Sequence, residues 1–166
     1  MLALAHKGNA LYEGDQIDLL YVLRPHGWTD LLLYVHGEIF QWSVSHVFSD
    51  PVAELATLAI QLHNRAKTIT AILWDEPGGH SFTLNQLPEQ HHKYAVRLCW
   101  FPEGPPASST RTETLLTEFI VKADHLVKLI HGELEKVVQL LEEKSYREHR
   151  DFPFSEFQKL RSQLAG

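Results

Sequence analysis

The stretch "TDLLLYVHGEIFQWSVSHVFSDPVAELATLAIQL", Thr29 to Leu62, changes its hydrophobic period once, and that change decides the fold class. Its first part divides at Gly37 into two β-rich arms. In the second arm Phe40, Trp42, Val44 and His46 alternate with Ile39, Gln41, Ser43 and Ser45, the period-2 pattern of a strand, so the pair is read as a hairpin. From Asp50 the period becomes helical. Asp50 stands as N-cap, Pro51 takes the first helical position, and Val52, Leu55, Leu58, Ala59 and Leu62 recur at helix spacing. The stretch therefore predicts two paired strands followed by a helix of about four turns.

Working outward, "IDLLYVL" (Ile17 to Leu23) is apolar and β-favouring, and "RPHG" ends it; an edge strand is expected. Downstream, "TITAILW", "SFTLNQL" and "KYAVRLCWF" read as a meander, with Tyr94, Val96, Leu98 and Trp100 alternating against Ala95, Arg97, Cys99 and Phe101. "PEGPPASSTRTE" is an exposed connector, and "TLLTEFIVKA" a last strand. The strongest helix follows, with Leu126, Leu129, Ile130, Leu134, Val137 and Leu141 on one stripe; Gly132 interrupts it at about 1 kcal/mol relative to alanine. "FPFSEFQKLRSQL" offers Ser155 as N-cap and Gln158 three residues on, a capping box opening a short final helix. Short turns between successive strands favour antiparallel pairing. The expectation is a single α+β domain over residues 1–166, an antiparallel sheet with helices packed on one face and a long C-terminal helix.

Charge narrows the partners. The chain carries 15 basic and 21 acidic residues, net −6, which argues against binding a phosphate backbone, so nucleic acid is not expected. Residues 122–166 hold eight basic and eight acidic side chains, so the excess negative charge belongs to the first 121 residues; solubility is the preferred explanation, and a basic protein partner would also suit that surface. Cys99 is the only cysteine, which excludes an intramolecular disulfide and fits a cytoplasmic protein. No apolar run reaches the length of a membrane span, and no secretory signal is read at the N-terminus.

Chemistry is harder to find. "LWDEPGGHSF", Leu73 to Phe82, gathers Asp75, Glu76 and His80, a set that a metal-dependent hydrolase could use. Pro77, Gly78 and Gly79 explain the same residues as a tight hairpin turn with flanking acids, and that reading is preferred. His91 and His92 diverge on an extended segment, His125 and His131 are six apart on the long helix, and no H-E-x-x-H spacing occurs; no metal site and no cofactor are expected. Cys99 sits in a strand interior as a small hydrophobe, and neither G-x-S-x-G nor a phosphate-binding glycine loop is present, so no catalytic residue is assigned. Trp28, Trp42, Trp74 and Trp100 fall at or near strands, where core packing is the ordinary role; aromatics on an uncovered sheet face would instead mark a binding surface.

The segments "DPVAELATLAIQL", "AILWDEPGGHSFTL" and "YAVRLCWF", with the amphipathic helix, Tyr146 and "FPFSEFQKL" that follow, resemble small, largely uncharacterised bacterial proteins related to immunity proteins of polymorphic toxin systems. The resemblance implies an antiparallel sheet with packed helices and a toxin-neutralising role, and it supplies no catalytic residues. The sequence reading is a non-enzymatic protein-binding domain with Asp75, Glu76, Trp42 and Trp74 as partner-binding residues and a protein toxin as partner. Homodimerisation through an open sheet face is compatible with it. The alternative is the small metal-dependent hydrolase using Asp75, Glu76 and His80.

Overall fold

The structure, a computed structural model, describes residues 11–104, 112–143, 147 and 154–165. In chain order the elements are β1 (Tyr12–Glu13), β2 (Ile17–Leu23), a 3-10 turn (Pro25–Gly27), β3 (Thr29–Val35), β4 (Glu38–Val44), α1 (Pro51–His63), β5 (Thr68–Trp74), β6 (Gly79–Leu87), β7 (Gln90–Phe101), β8 (Thr114–Lys122), α2 (Ala123–Leu140) and α3 (Phe154–Leu164). The α+β class and the single core stand as expected.

The strands form two sheets rather than one. Five are ordered β1-β8-β7-β6-β5 and three are ordered β2-β3-β4. Antiparallel pairing dominates, but β1 runs parallel to β8, with Tyr12 opposite Phe119 and Glu13 opposite Ile120. The division has a local cause. After β4 the chain enters α1, a 13-residue helix that carries it away before β5 begins. The two sheets touch where the Ser45 amide donates to the Trp74 carbonyl at 2.8 Å.

The hairpin between β3 and β4 closes on His36 and Gly37, whose φ angles of 45° and 93° make the two-residue turn that matches strand twist. Most non-glycine residues avoid that region, and His36 is held there on several sides. Its ring stacks on Tyr12 with centroids 4.4 Å apart, its Nδ1 lies 2.9 Å from Gln16 Oε1, and its amide donates to the Gln16 carbonyl at 2.9 Å.

On β2 every second side chain is buried: Ile17, Leu19, Tyr21 and Leu23. It is an edge strand, as its sequence predicts. The Ile17 carbonyl accepts from His125 Nε2 at 3.1 Å, the Leu19 amide donates to Asp18 Oδ1 at 2.8 Å, and the Tyr21 amide donates to Glu133 Oε2 at 2.7 Å.

Helix α1 begins as its sequence requires, with Asp50 Oδ1 accepting from the Val52 and Ala53 amides at 2.8 and 3.3 Å and Pro51 following. Val52, Leu55, Leu58, Ala59 and Leu62 are buried against β5 and α2. The longest helix is α2, 18 residues, which presents Leu126, Val127, Ile130, Leu134 and Val137 to the core and packs on β2, β7 and β8. The C-terminal helix is therefore not the long one: α3 has 11 residues, packs on α1 and buries Phe157 and Leu160. It starts at Phe154, so Ser155 is inside its first turn and its hydroxyl donates to Glu156 instead of capping the helix. Most of the expected proline-rich connector, residues 105–111, lies outside the described residues, as does Tyr146.

Candidate functional site

The turn between β5 and β6 runs through Asp75, Glu76, Pro77 and Gly78, with the Asp75 amide donating to the Gly78 carbonyl at 2.8 Å. Gly78 is required by close approach: a Cβ there would stand 2.1 Å from the Phe101 carbonyl oxygen. At Gly79 a Cβ would meet the Phe101 ring at 2.7 Å, so that ring covers the glycine directly.

Both acids of this turn have structural partners. Asp75 Oδ1 accepts from the Glu76 amide at 2.8 Å, and Glu76 Oε1 accepts from the Ser45 hydroxyl at 2.8 Å. The same hydroxyl accepts from the Val47 amide at 3.1 Å, so Glu76 ties the turn to the segment after β4. Trp74, half-buried, makes edge-on contacts with Phe48 and Phe101, centroids 5.8 and 5.6 Å away. Val47 and Phe48 are 62% and 46% exposed, which gives this corner an apolar surface beside its carboxylates. The sequence reading missed these two, although "SHVFSD" places a valine and a phenylalanine among polar residues where no element needs them.

Trp42 belongs elsewhere. It is buried at 7% exposure, stacked on His80 with centroids 4.9 Å apart and tilted against Phe82 at 5.8 Å, so it is a core residue and offers no surface to a partner. Burial pushes the His80 pKa down to about 4, so its imidazole is neutral at physiological pH. Its Nδ1 has no hydrogen-bond partner among the described residues. Asp75, Glu76 and His80 are consequently not brought together: the carboxylates bind the turn and Ser45, while the imidazole faces Trp42 in the interior. Among the described residues no three His, Cys, Asp or Glu side chains gather as metal ligands.

Three of the other candidate histidines are also engaged. His91 Nε2 contacts the Pro88 carbonyl at 2.7 Å, His125 reaches Ile17, and His131 faces Glu135 at 3.4 Å and stacks on Phe157. Cys99 is buried, and its thiol pKa is raised by burial first and then by the Glu113 charge, the opposite of an activated nucleophile.

Among the described residues, four of the exposed large hydrophobic side chains share the outer face of the three-stranded sheet. Register places Leu20 beside Leu32, and Tyr34 between Asp18 and Ile39. Leu20, Val22, Tyr34 and Ile39 are 44%, 38%, 38% and 66% exposed. At one end this face runs into a groove of about 770 Å³ that continues past the edge of β2 to His125 and Leu129 of α2. At the other end Asp30 Oδ1 accepts from Arg24 and from the Ser43 hydroxyl, each at 2.9 Å. The sequence does carry a signal for this surface. "IDLLYVL" and "TDLLLYV" are apolar in both alternations, so whichever set fills the core leaves the other apolar set to be covered or exposed.

Among the described residues no helix is long and apolar enough to cross a membrane. Comparison with protein-family models, with curated proteins and with solved structures finds no match.

Proposed function

We propose that this chain is a non-enzymatic protein-binding domain whose main docking surface is the outer face of β2, β3 and β4. The carrying observation is the set Leu20, Val22, Tyr34 and Ile39, large apolar side chains exposed together on one sheet face. Leu32, opposite Leu20, lines the groove with Leu20, Tyr34 and Ile39. An interface needs such a centre, low in charge, with a polar rim around it. Here the rim carries Asp15, paired with Lys122, Asp30, paired with Arg24, and Asp18, whose charge no cation balances among the described residues, within a chain of net charge −6. The partner that fits is a protein with apolar residues surrounded by lysine or arginine. A second copy of this chain would bring the same negative charge and is disfavoured.

The corner formed by Trp74, Phe48, Val47, Asp75 and Glu76 has the same chemistry on a smaller scale and serves as a second contact area. A toxin domain held inactive by this cover is the partner that the sequence motifs suggest, and a cytoplasmic location goes with that reading. The hydrolase alternative receives no support from the separate placement of His80 and the two carboxylates.

The test is affinity capture from the native host with the parent chain and with Ile39→Asp, followed by co-expression with the captured protein. The reading requires one stoichiometric protein that the variant loses, and protection of cells if that protein is toxic. Equal capture by both forms, or no stoichiometric partner for either, would overturn it.

A further inference from the structure

The groove at the end of the sheet face carries one more feature. Asp15, on its rim, is paired with Lys122 at 2.9 Å, and Asp30, at the far end of the face, is paired with Arg24 at 2.9 Å. Asp18 has no cationic partner among the described residues; its Oδ1 accepts only the Leu19 amide. Its carboxylate therefore brings an uncompensated negative charge to a groove lined by Leu20, Leu32, Ile39 and Leu129. Resting on the protein-binding reading above, we propose that this groove receives one lysine side chain of the partner, its alkyl stem on those apolar side chains and its ammonium at Asp18.

Three observations select this occupant. The lining is mainly aliphatic with a tyrosine ring at one side, which suits a methylene stem that keeps its charged end in contact with water. The free charge is a single carboxylate with one oxygen already engaged by a backbone amide, so it matches the compact ammonium of lysine better than the two-pronged fork of arginine. An anionic occupant would face the uncompensated Asp18, and a second copy would add another Asp18 to the same space.

The probe is n-hexylammonium, followed by methyl NMR spectra of the whole chain, with n-hexanol and hexanoate as comparisons. Saturable shifts confined to the methyls of Leu20, Leu32, Ile39 and Leu129 are expected with the ammonium, and none of comparable size with hexanoate. Asp18→Asn should weaken the ammonium about fivefold, the scale of one exposed ion pair, while leaving the rest of the spectrum unchanged. Hexanol binding as tightly as hexylammonium, or Asp18→Asn binding it unchanged, would overturn the assignment. So would groove methyls that shift on dilution without any probe, since that would mean a second copy fills the groove. If hexylammonium fails while Ile39→Asp still abolishes partner capture, the lysine assignment falls and the docking face stands; if the variant captures equally, the docking face falls.

Discussion

The indole of Trp42 lies stacked on the imidazole of His80, ring centroids 4.9 Å apart and planes 26° from parallel, and the contact joins the three-stranded sheet to the five-stranded one. A cation in that stack would have to be desolvated, which is why the His80 pKa falls to about 4.

The resulting pH dependence has a definite sign. The folded chain holds His80 neutral, whereas the unfolded chain protonates it near 6.5, so its contribution is complete above pH 6.5 and is lost as pH falls toward about 4. The full difference is about 3 kcal/mol. Urea denaturation of the parent and His80→Phe at pH 7 and pH 4.5 should show the parent losing more stability on acidification than the variant. Equal losses would disprove the role given to His80.

Gly78→Ala should destabilise the fold by about 2 kcal/mol, because the new methyl meets backbone and the turn must shift. That methyl would stand 2.1 Å from the Phe101 carbonyl oxygen and 3.0 Å from Pro102 atoms. Gly132→Ala is the control: apart from its chain neighbours and its own helix backbone, no heavy atom lies within 4 Å of its added Cβ, so stability should rise or stay level. Thermal denaturation of the pair reads both.

Asp50→Ala removes the acceptor for two amides of the first turn of α1 and should cost about 1 kcal/mol. Asp50→Ser should recover most of it. Chemical denaturation of the three forms is the check, and an alanine variant as stable as the parent would show that α1 is held by packing alone.

Ile39→Asp should leave stability within about 0.5 kcal/mol of the parent, since the side chain is 66% exposed, and should weaken partner binding about tenfold or more. Trp42→Ala separates surface from core: it should cost about 3 to 5 kcal/mol in stability as a buried aromatic truncation.

The elements with a strong period were legible in the sequence. The β3–β4 hairpin, α1 with its Asp50 cap and the β5–β6 turn all follow from residues within a few positions of one another. What was not legible depends on distant pairing. Tyr12 and Glu13 form a strand only because β8 lies beside them, and two residues have no period to read. Two sheets instead of one follow from where α1 takes the chain. Between Leu98 and Cys99 the β7–β8 register shifts, and beyond it Cys99 and Phe101 are buried while Trp100 is 39% exposed, which alternation alone does not reveal. The candidate site divided in the same way. Asp75, Glu76 and Trp74 stand at one surface corner as a turn reading predicts, but Trp42 went to the core because Val44 and Leu31, also buried, share its face of the sheet.

The side chains along β2 have a final consequence for any complex. With Asp18, His125 and Glu133 occupying main-chain groups at its open border, a visiting strand would have to displace them before it could extend the sheet. At this border of β2, then, the proposed docking face meets a visitor through side chains above the sheet plane and not through a shared strand ladder.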